Sequence, residues 1–332
     1  MLLPENNAWQ KWNIAWQWLC QRRRKSPPDA DIWDIWFHWS HEQDVLFERV
    51  INGQYHLSPM LIHRRRDTGE AFAQWSARDA LVLKWVSLMI QGHIPVSSHC
   101  VHVAGRRGGR DSLRDIAAYL RNGARYVYRT DIRGYYRHIN RKQVYHQVCR
   151  YIPDPVLQDL IYQYLHYSVE DGGEFHTPES GISRSCALSP YLGATLLRYV
   201  DRFFAQEEGV MYVRYMDDFL FLSERRWPLR RTRARLLEFM DTAGFELHPD
   251  KTQVGRISRG FDWLGVWFTD AGATGIAPRA SENHRLRRQR LEEQSRSWGF
   301  TEEATAERVL RYERRWSIWA VGQLHAATGG LP

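Results

Sequence analysis

The stretch Met211-Tyr212-Val213-Arg214-Tyr215-Met216-Asp217-Asp218-Phe219-Leu220-Phe221-Leu222 decides the fold. Residues 211–215 and 219–222 are apolar runs of strand length, and the three residues between them leave room only for a tight β-hairpin. Asp217 and Asp218 therefore sit at a hairpin tip with buried residues on both sides. Adjacent carboxylates in a partly desolvated place repel one another, so they call for a positive partner. A divalent metal fills that need best. Hard carboxylate oxygens suit Mg²⁺, which is commonly held by one or two carboxylates plus substrate phosphates. The plain alternative is a polar turn without chemistry, because Asp is common in turns.

Upstream, residues 125–130 alternate aromatic or apolar with polar residues and end on Asp131, the pattern of a sheet strand that delivers a carboxylate to a cleft. Asp131 is the natural third acid. Two ions bridged by Asp131 and Asp217 would activate an attacking hydroxyl and stabilise a leaving pyrophosphate. Around these strands, residues 141–152 read as a helix capped by Asn140, and Ser189-Pro190 opens a helix with Leu192, Leu196, Tyr199 and Phe203 at helical spacing. Residues 228–243 read as a helix ended by Gly244. Its polar side carries Arg225, Arg226, Arg230, Arg231, Arg233 and Arg235, and Leu229, Leu236, Leu237 and Met240 point inward. Residues 261–268 read as a last aromatic strand. The central order is β-α-β-β-α-β, which predicts an α+β fold with a split βαβ antiparallel sheet covered on one face.

Seven of the 15 tryptophans precede residue 40. Trp9, Trp12 and Trp16, and again Trp33, Trp36 and Trp39, fall along helical faces, which predicts two short helices joined by a solvated linker over residues 21–28. Core packing is the expected role of these rings, with base stacking the alternative. Residues 64–69 read as a basic hairpin turn, 78–90 as an amphipathic helix and 105–110 as a basic flexible loop. Two Arg-rich helical stretches, 284–296 and 301–320, close the chain.

Apolar residues make up 43% and charged residues 25% of 332, a globular composition that excludes a disordered chain. With 46 Lys+Arg against 38 Asp+Glu the net charge is +8, which favours a polyanionic partner. The four cysteines form no CxxC pair, so neither a zinc cluster nor a disulfide scaffold is expected. No signal segment or run of 18 apolar residues is present, and a cytoplasmic protein without a membrane partner is expected.

Tyr215-Met216-Asp217-Asp218 resembles motif C of reverse transcriptases, and Thr130-Asp131-Ile132-Arg133-Gly134-Tyr135-Tyr136 resembles motif A of bacterial group II intron-like and retron-type enzymes. Residues 181–190, which include Ser185 and Ser189, resemble motif B; residues 248–252 resemble motif D, and Trp263-Leu264-Gly265 the primer-grip motif E. The resemblance implies a right-hand polymerase: a Trp-rich helical extension over 1–50, fingers over 51–124, a palm over 125–258, and a primer-grip strand with helical thumb over 259–332. It implies an RNA-directed DNA polymerase working with two Mg²⁺ ions, or Mn²⁺ in their place, on an RNA template, a DNA or RNA primer and dNTPs. Asp131, Asp217 and Asp218 would hold the metals, with the backbone carbonyl of Ile132 completing a site. Tyr136 would be the steric gate against ribonucleotides and Lys251 the proton donor to pyrophosphate. Arg64, Arg65 and Arg78 are the candidates for the triphosphate, and Ser185 and Ser189 for the nascent pair.

Arg184 and Ser185 stand where motif B commonly has Gln and Gly, which implies altered template handling, and the usual fingers string is replaced by Ala71-Phe72-Ala73-Gln74-Trp75. Maturase and endonuclease modules are not expected. Atypical priming or untemplated synthesis in antiphage defence, and a non-catalytic RNA-binding module, are the alternative functions; the Trp-rich segment would then dock a structured RNA or a protein.

Overall fold

The computed structural model describes residues 5–64, 69–103 and 107–329. In chain order it consists of α1 (Glu5–Arg23), α2 (Ile32–Ile51), β1 (Met60–Arg64), β2 (Ala71–Gln74), α3 (Ala77–Ile90), α4 (Arg110–Arg121), β3 (Tyr126–Asp131), α5 (Tyr135–His138), α6 (Arg141–Tyr151), α7 (Pro155–Leu165), β4 (Val169–Asp171), β5 (Glu174–His176), α8 (Ser189–Leu196), α9 (Arg198–Phe204), β6 (Met211–Tyr215), β7 (Asp218–Ser223), α10 (Arg226–Ala243), β8 (Gln253–Arg256), β9 (Phe261–Trp263), β10 (Val266–Thr269), β11 (Gly272–Ile276), α11 (Pro278–Ser297) and α12 (Glu302–Thr328). Among the described residues no helix is long and apolar enough to cross a membrane. Most of the basic turn at 64–69 and the start of the 105–110 loop lie outside the described residues.

Two compact units emerge, each discontinuous in sequence: Met1–Ser97 with Gly134–Arg198, and Ser98–Arg133 with Tyr199–Pro332. In the first, α1 and α2 are longer than the tryptophan spacing alone predicts. Trp12 is fully buried among Trp39, Phe47 and Trp85, while Trp16 stacks on Trp39 at 3.8 Å. Trp36 leaves 48% of its surface exposed. Part of the expected linker is helix, because α1 runs on to Arg23, whose guanidinium is buried against Asp31 (2.8 Å) and the carbonyl of Trp75 (2.6 Å). A mixed sheet of order β2-β1-β4-β5 belongs to the same unit.

The second unit holds the split βαβ sheet, in the order β6-β7-β3-β8 with every neighbouring pair antiparallel. Strand alternation sorts its side chains into two faces. Val127, Arg129 and Asp131 stand opposite Leu222, Leu220 and Asp218, whereas Tyr128 and Thr130 stand opposite Phe221 and Phe219 on the other side. The first face joins a core with Leu113 and Ile116 of α4, Phe261, Trp263 and Val266 of the following hairpin, and Ala327 of α12. On the second, Tyr128 stacks on Phe221, Phe221 meets Phe204 of α9 at 4.9 Å, and Phe204 meets Phe239 of α10. Both α9 and α10 therefore cover the face opposite the acids.

Four further expectations change, the first being that the sheet is covered on both faces rather than one, by α4 and the β9–β10 hairpin on one side and by α9 and α10 on the other. Leu237 is 45% exposed, and Thr232 takes its place in the buried row Leu229, Thr232, Leu236 and Met240, whose spacing follows the helix more closely. The stretch after Ser189 is two helices, α8 and α9, not one. Residues 261–268 are a hairpin rather than one strand: Leu264 (φ 49°) and Gly265 (φ 84°) both adopt the left-handed conformation of a two-residue turn, and β11 adds a third strand.

Candidate active site

Asp131, the last residue of β3, is the register partner of Asp218, the first of β7. Directly opposite residues of an antiparallel pair share a face, with Cβ atoms ~5 Å apart. Asp217 lies on the adjoining turn, where its carbonyl accepts from the Ile132 amide at 3.2 Å. Tyr215 pairs with Asp218, so the turn consists of Met216 and Asp217 alone. Met216 has φ 54°, a conformation that a residue with a side chain adopts only when its surroundings enforce it. Two side chains supply that enforcement. His102 accepts from the Met216 amide through Nδ1 at 2.9 Å, and Arg214 donates through Nη1 to the Met216 carbonyl at 2.6 Å. Arg214 is wholly buried and forks onto Asp201, itself wholly buried, at 2.7 and 2.6 Å; Tyr212 donates to the same carboxylate at 2.7 Å.

Pairing of residues 131–133, at and just beyond the end of β3, with residues 246–248 brings a third segment to the acids. His248 donates from its amide to the Asp131 carbonyl at 2.7 Å, and the Thr130 and Thr252 hydroxyls bond at 2.7 Å. The short turn Pro249–Lys251 is fixed between them, and Lys251 Nζ is ion-paired with Asp131 Oδ2. Arg129, one residue pair along the same face, bonds Asp218 at 3.3 Å and reaches Asp262 at 3.4 Å. Asp262 in turn accepts from the Gly265 amide at 3.0 Å, so the acids and the Leu264-Gly265 turn are joined through one guanidinium.

Burial, and then the neighbouring charge of Asp131, push Asp217 up to about 7. Asp218 is also raised, by burial first, against the lowering effect of Arg129. Asp131 is 5% exposed, and its Oδ1 is a buried acceptor that no donor reaches among the described residues. Desolvated carboxylates, an unsatisfied buried oxygen and an all-oxygen donor set fit a hard divalent cation. Ile132, 1% exposed, stands beside them and bridges to Leu247.

The remaining expected residues belong to the other unit. Tyr136 is 7% exposed, with the Arg184 guanidinium 5.6 Å from its ring centre; Tyr135 donates to the Gly193 carbonyl at 2.7 Å. A Cβ at Gly193 would come within 3.4 Å of both tyrosines, so glycine there makes room for the pair. Ser185 is exposed, whereas Ser189 is buried and donates to the Cys186 carbonyl at 2.9 Å. Arg78 is bonded to Glu42 at 2.8 Å and Asp34 at 3.2 Å, and Arg64 forks onto Asp171 at 3.0 and 2.6 Å. Arg65 lies outside the described residues. Arg129, Asp201, Arg214 and His102 escaped the sequence reading. A signal existed for Arg214 alone, since an arginine inside an apolar strand needs a buried partner.

The family described as reverse transcriptase (RNA-dependent DNA polymerase) matches residues 92–268, more than half of the chain. The chain belongs to the reverse transcriptase family. The reverse transcriptase match takes in β3, the β6–β7 hairpin and β8 with all three acids and Lys251, and ends within β10. Solved structures similar to the chain include an apo telomerase from Candida tropicalis truncated from its C-terminal domain, 12% identical, with a TM-score of 0.41, covering 57% of this chain and 43% of that one. Another is the telomerase from Candida albicans in complex with a fragment of telomeric RNA, 13% identical, with a TM-score of 0.49, covering 81% of this chain and 57% of that one. The chain thus spans about half the length of each. A search of curated protein sequences found no match.

Proposed function

We propose that this reverse transcriptase extends a DNA or RNA primer along an RNA template with dNTPs, through attack of the primer 3′-hydroxyl on the α-phosphate and departure of pyrophosphate. The observation that carries this is the meeting of Asp131 and Asp218 across β3 and β7, with Asp217 on the turn between strands. Asp131, Asp217 and Asp218, with the Ile132 carbonyl, would hold two Mg²⁺ ions, or Mn²⁺ in their place, which when bound supply activation of the hydroxyl and charge neutralisation at the pyrophosphate. Asp217, raised to about 7, must give up its proton before it serves as a ligand. Lys251, whose Nζ lies beside Asp131, would deliver a proton to the departing oxygen.

Tyr136 would crowd a 2′-hydroxyl and so favour dNTPs. Arg184 and Ser185 would meet the template side of the nascent pair, where Ser189 steadies their loop. Arg64, Arg65 and Arg78 would meet the triphosphate, Arg64 by leaving Asp171 and Arg78 by leaving Asp34 and Glu42. The basic helices α11 and α12 would grip the template–primer duplex as a thumb, through salt-sensitive phosphate contacts. The motif A string supports a group II intron-like or retron-type enzyme.

Primer extension tests this. With an annealed RNA template and DNA primer, Mg²⁺ and either dNTPs or NTPs, the protein should make template-complementary product from dNTPs alone. Product whose sequence ignores the template, or no product with either metal, would overturn the proposal.

A further inference from the structure

A dense run of arginines in the second unit lies on and just before α10. Arg225, Arg226, Arg230, Arg231, Arg233 and Arg235 are all exposed, on or just before α10. Arg235 pairs with Glu238 at 2.6 Å; among the described residues none of the other five has an ion-pair partner. The acids close by in sequence are Glu224, Glu238 and Asp241, so six cations face three anions. Arg226 with Arg230, and Arg231 with Arg235, repel at helical i,i+4 spacing, a strain that a polyanion would relieve.

Aromatic rings are interleaved with this charge. Trp227 is 69% exposed, and the Arg230 guanidinium lies 5.0 Å from its ring centre. Arg235 lies over Phe203 and Phe239 at 5.2 and 5.5 Å, and Tyr199, 45% exposed, meets Phe239 edge-on. Core packing does not explain an exposed tryptophan on the helix side away from Leu229, Leu236 and Met240. α10 also covers the sheet face of Tyr128 and Phe221, the reverse of the face that carries Asp131 and Asp218.

We infer that the outer face of α10 binds single-stranded RNA, at a surface separate from the carboxylate centre. Guanidinium groups fork onto phosphate oxygens, and an exposed indole stacks an unpaired base that a duplex would hide. From Arg226 to Arg235 the helix rises roughly 14 Å, enough to follow a short stretch of strand. RNA is the strand at hand, because the family is one of RNA-dependent polymerases. The surface would hold a part of the RNA that is not being copied.

The test measures fluorescence anisotropy of labelled oligouridylate over a series of salt concentrations without nucleotides, so its outcome does not depend on catalysis. In Arg226→Gln/Arg230→Gln/Arg233→Gln, the slope of log affinity against log salt should be shallower by about 2, from ~0.7 per phosphate contact on a single strand. Trp227→Ala should weaken binding at least about fivefold with the slope unchanged, as loss of one stacked base predicts. A fully paired RNA hairpin should lose less on Trp227→Ala, because its bases are not free to stack, and extension of a short annealed template–primer should keep its wild-type rate. If the triple variant loses helical circular dichroism, the single Arg→Gln variants replace it, each lowering the slope by ~0.7. An unchanged slope, a neutral Trp227→Ala, or an equal loss for paired RNA on Trp227→Ala would overturn the inference.

Discussion

Arg214 donates to the carbonyl oxygen of Met216 at 2.6 Å, and through this bond a wholly buried guanidinium holds the two-residue turn that carries Asp217. The same guanidinium forks onto Asp201. The turn that carries Asp217 is thus tied to a buried ion pair, not only to the strands that flank it.

Breaking that pair separates stability from activity. Arg214→Met leaves Asp201 buried without its cation and should destabilise the protein by ~3–5 kcal/mol in urea unfolding. Arg214→Met/Asp201→Leu should regain much of that loss, because no uncompensated charge remains, yet extension should stay impaired because the Met216 carbonyl has lost its donor. A double variant that is both stable and fully active would refute the link.

The pH dependence follows from Asp217. Its folded value, about 7, lies above the ordinary carboxylate range, so between ~4 and ~7 the folded state binds more protons than the unfolded one. Its contribution to stability is therefore complete at low pH and is lost as pH rises through ~7. Metal-free wild type should lose thermal stability over this window, and Asp217→Asn should lack that component. Divalent-cation affinity should run the other way, rising about tenfold per pH unit up to ~7 as the proton is displaced. Calorimetric titration with Mn²⁺ in buffers of different ionisation enthalpy reads the released proton directly.

Gly265 tests the turn between β9 and β10. Its φ is +84°, and an added Cβ would come within 2.7 Å of the Trp319 ring. Gly265→Ala should cost about 1–3 kcal/mol in urea unfolding. Gly275, without a positive φ and with nothing within 4 Å of an added methyl group, should accept Ala with little change and serves as the control.

Tyr136→Ala should lower the preference for dNTPs over NTPs by about tenfold or more in kcat/KM, the scale of discrimination available to a shape contact. Unchanged selectivity would remove Tyr136 from the gate. Because Tyr136 is nearly buried, its unfolding curve should be recorded alongside.

The hairpin is legible as two short apolar runs around a polar turn, and the strand ending at Asp131 as an alternation of period two; both patterns have few other solutions. The Leu264-Gly265 turn is not legible, since Trp263-Leu264-Gly265-Val266 carries no polar turn residue and reads as continuous strand. Leu237 is misplaced because a helix face read from hydrophobicity takes every leucine inward, whereas the helical period buries Thr232. Tryptophan spacing found both N-terminal helices but could not rank the rings, so Trp12 in the core and Trp36 at the surface looked alike. Arg129, Asp201 and His102 work through partners on other elements, and pairing across elements leaves no local pattern.

The most direct measurement is single-turnover incorporation of one dNTP on an annealed RNA template and DNA primer by wild type, Asp131→Asn, Asp217→Asn and Asp218→Asn, with saturating Mg²⁺ and binding of the template–primer measured in parallel. Each substitution is isosteric and should keep the fold and the duplex affinity. Incorporation should fall by at least about a thousandfold for Asp131→Asn and Asp217→Asn, the order lost when a group stabilising transition-state charge is removed. Incorporation by either variant at the wild-type rate would contradict the account.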